Sequence, residues 1–461
     1  MGQPSIVAEA LPTVLDRVER RARQDPRCVF NNLGHILDLD LLRASFESLD
    51  GKKAIGLDGV RKEEYGRRLE ENLKSLSQRL RQGSYHPRPM RIREIPKADG
   101  SKRPLAISCF EDKIVQEAVR RILERIFEPR FLDCSFGFRP SRNAHQALAV
   151  LDRHLMDRRR CRALLDLDLR KCFNTIPHAP LMKALKSRIS DRRFLRLVVK
   201  LLRAPTLNAQ GVVQRNEVGT PQGSILSPLL ANLYLHYAMD RWFAEENRER
   251  LYGQGRMVRY ADDMVFTFPS MAQAVMFKQL ISERLAQCGL AINEAKTQVV
   301  PCGRDAAEDH ARRGARVPGF VFLGFLHIWG RSWGGNSGGE FWRIKRSTCP
   351  KRFRNKLKEV TRYIKHHRHE KDLIHLVKRV VQGYLNYFAV SDNFKRVHQF
   401  IRQVVQALYR WLNQRSQRRS YTWDRFQALL DSLSFPKPHL QVNLFALSKA
   451  LRYGPPPAVL R

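Results

Sequence analysis

Apolar residues recur along this chain with two periods, and the period changes from block to block. Leu11, Val14, Leu15 and Val18, then Leu41, Leu42 and Phe46, fall at helical spacing, so residues 1 to about 50 read as helical. Residues 60–82 continue as a charged helix. Between 88 and 104 basic and apolar side chains alternate, and Lys97-Ala98-Asp99-Gly100-Ser101 splits the run. That pattern predicts a hairpin with Asp99-Gly100 as its turn and cations at its tip. A helix with one apolar face follows at 114–127, carried by Ile114, Val115, Ala118, Val119, Ile122 and Ile126. The loop Ser135-Phe136-Gly137-Phe138-Arg139-Pro140 presents an aromatic and an arginine, and a second helix spans 144–155.

The period then drops to two. Leu165, Leu167 and Leu169 alternate with Asp166 and Asp168, which predicts a strand with an acidic face. Acids are disfavoured in strands, so the face is either a solvated sheet surface or a place where carboxylates are needed. A turn-rich loop at 219–224 leads into an apolar helix at 226–237. Met257 and Val258 precede Tyr260-Ala261-Asp262-Asp263, and Met264, Val265, Phe266 and Phe268 follow it. This reads as a hairpin with two carboxylates at its tip. Adjacent like charges repel, so cations belong there unless the tip is a plain solvated turn. A helix at 272–288 stops at Gly289, as a C-cap should, and strands are predicted at 298–301 and 320–325, the latter with a glycine inside it. Residues 305–318 and 330–340 read as loops. Three amphipathic helices come next, marked by Phe353 to Ile364, by Leu373 to Phe388 and by Val397 to Trp411.

Charge narrows the partner. The chain has 461 residues, a formal net charge of +38 and a pI near 10.5. Such a surplus calls for a polyanion, and no run of about 18 apolar residues offers a membrane span. Nucleic acid is therefore the expected partner, with no membrane. Residues 341–461 carry 26 Lys/Arg against 6 Asp/Glu, a net of +20. That describes a basic helical bundle appended to an α/β domain. The eight cysteines include no C-x-x-C pair, so no zinc ribbon is indicated, and reduced thiols in a reducing cytoplasm are expected. Gly51 to Gly59 is a flexible basic loop, either a plain connector or a backbone-phosphate contact.

Assembled, these pieces become specific. Asp168 on one strand, with Asp262 and Asp263 on a separate hairpin, could bind two Mg²⁺ ions about 3.5–4 Å apart. Magnesium needs few carboxylates when phosphate oxygens and water complete its octahedron. Lys97 and Arg103 lie on opposite arms of one short turn, where both can reach a single polyphosphate.

The chain resembles a group II intron-type reverse transcriptase of the bacterial non-LTR class. Ile95-Pro96-Lys97-x-Asp99-Gly100-x-x-Arg103-Pro104-Leu105 is similar to that family's fingers motif, and Ser135 to Pro140 to the signature that follows it. Asp168 with Phe173, Gly219-Thr220-Pro221-Gln222-Gly223 and Tyr260-Ala261-Asp262-Asp263 resemble motifs A, B and C. Gly289-Leu290 through Asn293, Lys296 and Thr297 resembles motif D, and Phe322-Leu323-Gly324-Phe325 the primer-grip region. These seven motifs occur in order over about residues 40–330, and the helices at 350–413 resemble the thumb, or maturase X, domain.

The resemblance implies an α/β + α right-hand polymerase with an N-terminal extension and template-binding loop at 1–60, fingers at 61–160 and a palm at 161–330. A three-helix thumb with a short tail would fill 340–461. It implies Asp168, Asp262 and Asp263 as the metal-binding triad for two Mg²⁺, which Mn²⁺ could replace, and Lys296 as the proton donor to pyrophosphate. Lys97 and Arg103 would hold the dNTP triphosphate, Phe173 would be the steric gate against the 2′-hydroxyl, and Gln222 would support the templating pair. Gly56, Tyr260, Ala261, Leu323 and Gly324 would contact primer or template, with Ala261 small enough to leave room at the primer end. Partners would be an RNA template, a DNA primer or primer–template duplex, dNTPs and a group II intron RNA. Two departures stand out: Asn174 occupies a position that is usually acidic, and Ile107-Ser108-Cys109-Phe110 replaces an Ile-Pro sequence. The 45 or so residues after the thumb are too few for a DNA-binding domain plus an HNH endonuclease. Besides RNA-directed DNA synthesis, two readings stay open: a maturase that binds and folds intron RNA, and a free-standing enzyme of DNA repair or phage defence.

Overall fold

Val-, Ile- and aromatic-rich runs form the strands. In chain order these are β1 (Met90–Pro96), β2 (Lys102–Ile107), β3 (Ala163–Asp168), β4 (Thr206–Leu207), β5 (Val213–Gln214), β6 (Arg256–Tyr260), β7 (Asp263–Phe268), β8 (Gln298–Pro301), β9 (Phe320–Phe322), β10 (Phe325–Trp333) and β11 (Glu340–Thr348). The computed structural model describes residues 13–96, 102–208, 211–251, 253–334, 339–415 and 420–451. The chain divides into two compact units. One comprises Met1–Ser141, Leu169–Glu249 and Leu280–Asn293; the other comprises Arg142–Asp168, Arg250–Gln279 and Glu294–Arg461.

The first unit is built on the helix Phe110–Phe127, in which Ile114, Val115, Ala118, Val119, Ile122, Leu123 and Ile126 are all fully buried. Helices Val14–Gln24 and Leu39–Ser48 pack on it. The expected N-terminal helix is thus interrupted, with only a short 3-10 turn (Gly34–Ile36) between the two. Residues 60–82 likewise divide into Lys62–Gly66 and Leu69–Gln82, the first ending at a glycine, a poor helix former. The sheet order is β2-β1-β4-β5, and β1 pairs antiparallel with β2 so that Ile95 faces Arg103 and Pro96 faces Lys102. The predicted hairpin is therefore present. Its turn, with Lys97, Asp99 and Gly100, lies outside the described residues.

The second unit holds the sheet β6-β7-β3-β8, antiparallel throughout. Ala163, Leu164, Leu165 and Leu167 of β3 are buried, and Phe266 and Phe268 of β7 each pack at a tilt against Phe277 with centroids 5.1 Å away. Three expectations fail here. Phe320 to Phe325 is no single strand: Leu323 (φ 48) and Gly324 (φ 82) turn the chain back, so β9 and β10 pair as a hairpin. The supposed Gly/Ser loop at 330–340 interrupts no strand before Trp333; β10 and β11 pair along their full length. Cross-strand pairs such as Arg331 with Trp342 and Ser332 with Phe341 outweigh the local glycine content. The supposed charged loop at 305–318 contains the helix Gly303–Arg312, whose Asp305 pairs with Arg158 at 2.7 Å.

The C-terminal helices Pro350–His366, Leu373–Phe388 and Phe394–Leu412 form as expected. Tyr384 and Phe400 stack at 3.8 Å in their core. Helices Trp423–Ser432 and Leu444–Ala450 also occur, and Phe426 and Leu430 join the same core, so the bundle exceeds three helices. No helix among the described residues is long and apolar enough to cross a membrane.

Candidate active site

The acids of the second unit are brought together by strand register. β3 and β7 pair antiparallel with Asp168 directly opposite Asp263, and Tyr260 faces Asp263 across the β6–β7 turn. Directly opposed side chains stand about 5 Å apart at Cβ, and like charges there are destabilising. Only Ala261 and Asp262 make the turn. Ala261 takes the left-handed φ of 58 and is 7% exposed. The fully buried Arg259 donates to the Ala261 carbonyl at 3.0 Å, which stiffens the tip.

Electrostatics mark the same spot. Asp263 keeps an exposed face, while protein crowds it from the other sides. That partial loss of hydration, followed by the charges of Asp262 and Asp168, pushes its carboxyl up to about 6. Loss of hydration also pushes Asp166 up to about 7, with Asp263 and Asp168 adding to it and the Gln298 amide opposing it. Opposing charge comes from Lys296, whose Nζ stands 3.7 Å from Asp168 Oδ2, and from the field of Arg352 on Asp263. The Asp168 amide donates to Thr297 Oγ1 at 3.3 Å, which ties the Lys296–Thr297 segment to the acid-bearing strand. Among the described residues no three acids, histidines or cysteines converge into a complete metal site. Two directly opposed carboxylates, Asp168 and Asp263, fit a hard cation whose shell is completed by phosphate oxygens and water.

The Leu323–Gly324 turn is braced within the same unit. Tyr387 Oη donates to the Leu323 carbonyl at 2.8 Å, and the Cys349 amide donates to the Gly324 carbonyl at 2.9 Å. A Cβ on Gly324 would stand 3.0 Å from the Arg352 guanidinium.

The nucleotide-binding candidates of the first unit also meet. Arg103 Nε donates to Gln222 Oε1 at 2.7 Å. Phe173 is buried beside the exposed Phe138, edge to face at 6.5 Å between centroids. Gly56 lies in the loop between Gly51 and Gly59. It is buried, and a Cβ there would come 2.5 Å from Cys109 Cα, so its glycine serves close packing of the chain on itself. In that loop Lys52 and Lys53 are the exposed cations. Arg139 is buried, bridging Glu128 at 2.8 Å and the Ser135 carbonyl at 2.8 Å.

Sequence reasoning missed Arg352, Tyr387, Thr297 and Asn174 as parts of these clusters. Arg352 left a signal: Lys351, Arg352 and Arg354 crowd the first turns of a helix, where the macrodipole disfavours cations. Tyr387 left none, because its partner is distant in sequence, and Asn174 showed only as a departure from a usually acidic position.

Residues 95–326 match the family described as reverse transcriptase (RNA-dependent DNA polymerase), and residues 350–429 match the group II intron, maturase-specific domain. The chain is 37% identical over 225 residues to the group II intron-encoded protein LtrA of Lactococcus lactis subsp. cremoris, covering 48% of this chain and 37% of that one. It is 36% identical over 247 residues to protein YkfC of Escherichia coli strain K12, covering 47% and 64%. It is 32% identical over 256 residues to the putative COX1/OXI3 intron 1 protein of Saccharomyces cerevisiae, covering 55% and 30%. The match thus spans less than two thirds of each relative's length.

Proposed function

The chain belongs to the reverse transcriptase (RNA-dependent DNA polymerase) family, and on that premise we propose that it extends a nucleic-acid primer with deoxynucleotides, copying RNA and also DNA. The observation that carries the proposal is the register that sets Asp168 opposite Asp263. Asp168 and Asp263, with Asp262 beside them, would hold the two Mg²⁺ ions. When bound, these ions activate the primer 3′-hydroxyl and neutralise the departing pyrophosphate. Lys296 Nζ, held near Asp168, would give its proton to a pyrophosphate oxygen. Arg103, together with Lys97, would take the triphosphate oxygens. Phe173 would exclude the 2′-hydroxyl, and Gln222 would support the templating pair. Tyr260, Ala261, Leu323 and Gly324 would seat the primer end on turns that Arg259 and Tyr387 stiffen. Residues 61–160 and 161–330 would then act as fingers and palm, and the helices after Pro350 as the thumb.

The test is primer extension on RNA and DNA templates by the wild type and by Asp263→Asn and Asp262→Ala. Loss of about a hundredfold or more in the variants supports the assignment. A wild type that extends no better than its variants overturns it. A second role is favoured by the maturase-domain match at 350–429 and the +20 charge of residues 341–461: binding of structured intron RNA by the helical region. Footprinting of a group II intron RNA with and without the protein checks that role.

A further inference from the structure

Three side chains of the first unit form a relay. Arg103 Nε donates to Gln222 Oε1 at 2.7 Å, and Gln222 Nε2 donates to Asn174 Oδ1 at 2.9 Å. A carboxamide can be turned either way round; here the guanidinium, a donor only, takes the oxygen on one side, which leaves the NH₂ on the other for Asn174 Oδ1. The two bonds together select one orientation of Gln222.

Each member stands on a backbone held from outside. The Ala106 amide of β2, the strand that bears Arg103, donates to the Gln222 carbonyl at 2.6 Å. A Cβ on Gly223 (φ +110) would lie 2.6 Å from the Ala106 carbonyl oxygen, so only glycine lets loop and strand approach this closely. On the other side, Thr220 N–H donates to the Phe173 carbonyl at 2.7 Å and Gly219 N–H to the Ile176 carbonyl at 2.9 Å. A Cβ on Gly219 would come 2.7 Å from the Asn174 carbonyl oxygen. Asn174 and Gln222 also border a cavity of about 290 Å³ lined further by Asn208, Gln214 and Asn216, with no charged side chain in its wall among the described residues. The acceptor at the end of the relay is therefore neutral and sits among neutral amides.

We propose that Asn174 is a positioning residue for the incoming nucleotide, acting through Gln222 on Arg103; this rests on the polymerase reading above. With its Nε committed to Gln222, the exposed Arg103 guanidinium turns its terminal nitrogens to a phosphate in the fork geometry that suits it. Without the Asn174 acceptor the Gln222 amide loses one of its two anchors and is free to swing away from Arg103. The ordering of the guanidinium then has to be supplied at the moment of binding. The effect belongs to nucleotide affinity rather than to the chemical step.

The test compares the wild type, Asn174→Leu, Asn174→Asp, Gln222→Ala and the Asn174→Leu/Gln222→Ala double variant. Two readouts are used: single-nucleotide incorporation, and dNTP binding to the protein on a chain-terminated primer–template. Asn174→Leu, which removes the acceptor, raises the dNTP KM and Kd by at least about threefold, with kcat little changed. Asn174→Asp, which keeps an acceptor, restores both, and the double variant is no worse than Gln222→Ala alone. The proposal is overturned if Asn174→Leu leaves KM and Kd unchanged, if Asn174→Asp is as defective as Asn174→Leu, or if the two substitutions add independently. A wild type that binds dNTP in an Asn174-dependent way but does not extend keeps the relay and removes the polymerase reading. One that extends with no dependence on Asn174 does the reverse, and one that binds no dNTP overturns both.

Discussion

At Asp263, lost hydration and two neighbouring acids raise the carboxyl from its ordinary 3.8 to about 6. The sign of the consequence follows from linkage. Between about pH 4 and 6 the unfolded chain has released this proton while the native protein still holds it, so stability from this group falls as pH rises and stays reduced above 6. Without divalent metal, Asp263→Asn is expected to melt a few degrees above the wild type at pH 7.5, the gap closing as the pH falls toward 4. Thermal unfolding in EDTA at several pH values checks this; a gap independent of pH contradicts the account. Phe173 makes a second prediction at this scale. Phe173→Val shortens the ring that is proposed to meet the 2′-hydroxyl, so discrimination of dNTP over rNTP should fall by about tenfold or more. Competitive incorporation measures it, and unchanged discrimination removes Phe173 as the gate. Ala261 is a poorer probe than its sequence suggests. At φ 58 and almost fully buried, a β-branched Ala261→Ile would strain the turn that carries Asp262 and Asp263, and so would not act on the primer end alone.

Elements in the second unit are joined by a few buried polar ties. Arg346 of β11, 2% exposed, pairs with Asp152 of the helix Ala144–Met156, and Asn393 donates to Thr348 Oγ1 at 2.8 Å while accepting from the Thr348 amide at 2.7 Å. Removing one member of a buried ion pair strands the other charge, so Arg346→Ala should lower stability by about 3–5 kcal/mol, whereas a matched apolar pair at 152 and 346 should cost far less. Chemical denaturation of both variants decides it. How far the sequence could be read also becomes clear at the level of elements. Asp166 and Asp168 were legible because leucines alternate with them, and the β6–β7 hairpin because apolar runs flank its acids. Their pairing was not, since register between strands about a hundred residues apart leaves no local trace. Leu323-Gly324 looked like strand interior because its neighbours are aromatic; only the positive φ at both positions reveals a turn. Residues 330–333 and the helix Gly303–Arg312 were hidden by composition, since cross-strand pairing and the Arg158–Asp305 contact stabilise what their own propensities do not. The Arg103–Gln222–Asn174 relay joins three distant segments and was illegible for the same reason.

On the scale of the whole chain, the +38 charge is unevenly placed, with +20 in residues 341–461. If that region tracks a duplex through about six phosphates, affinity for a primer–template should fall roughly a thousandfold between about 50 and 200 mM salt. Fluorescence anisotropy across that range tests the claim, and a flat response contradicts it. The central claim is narrower: two carboxylates set opposite one another by strand register carry metal-dependent nucleotide addition. It is tested most directly by single-turnover addition of one dNTP to a primer on an RNA template, titrated with Mg²⁺, for the wild type, Asp168→Asn and Asp263→Asn. The account predicts Mg²⁺-saturable incorporation by the wild type and loss of about a hundredfold or more in each variant at every Mg²⁺ concentration. Incorporation by either variant at the wild-type rate, or a wild type indifferent to Mg²⁺, would contradict it.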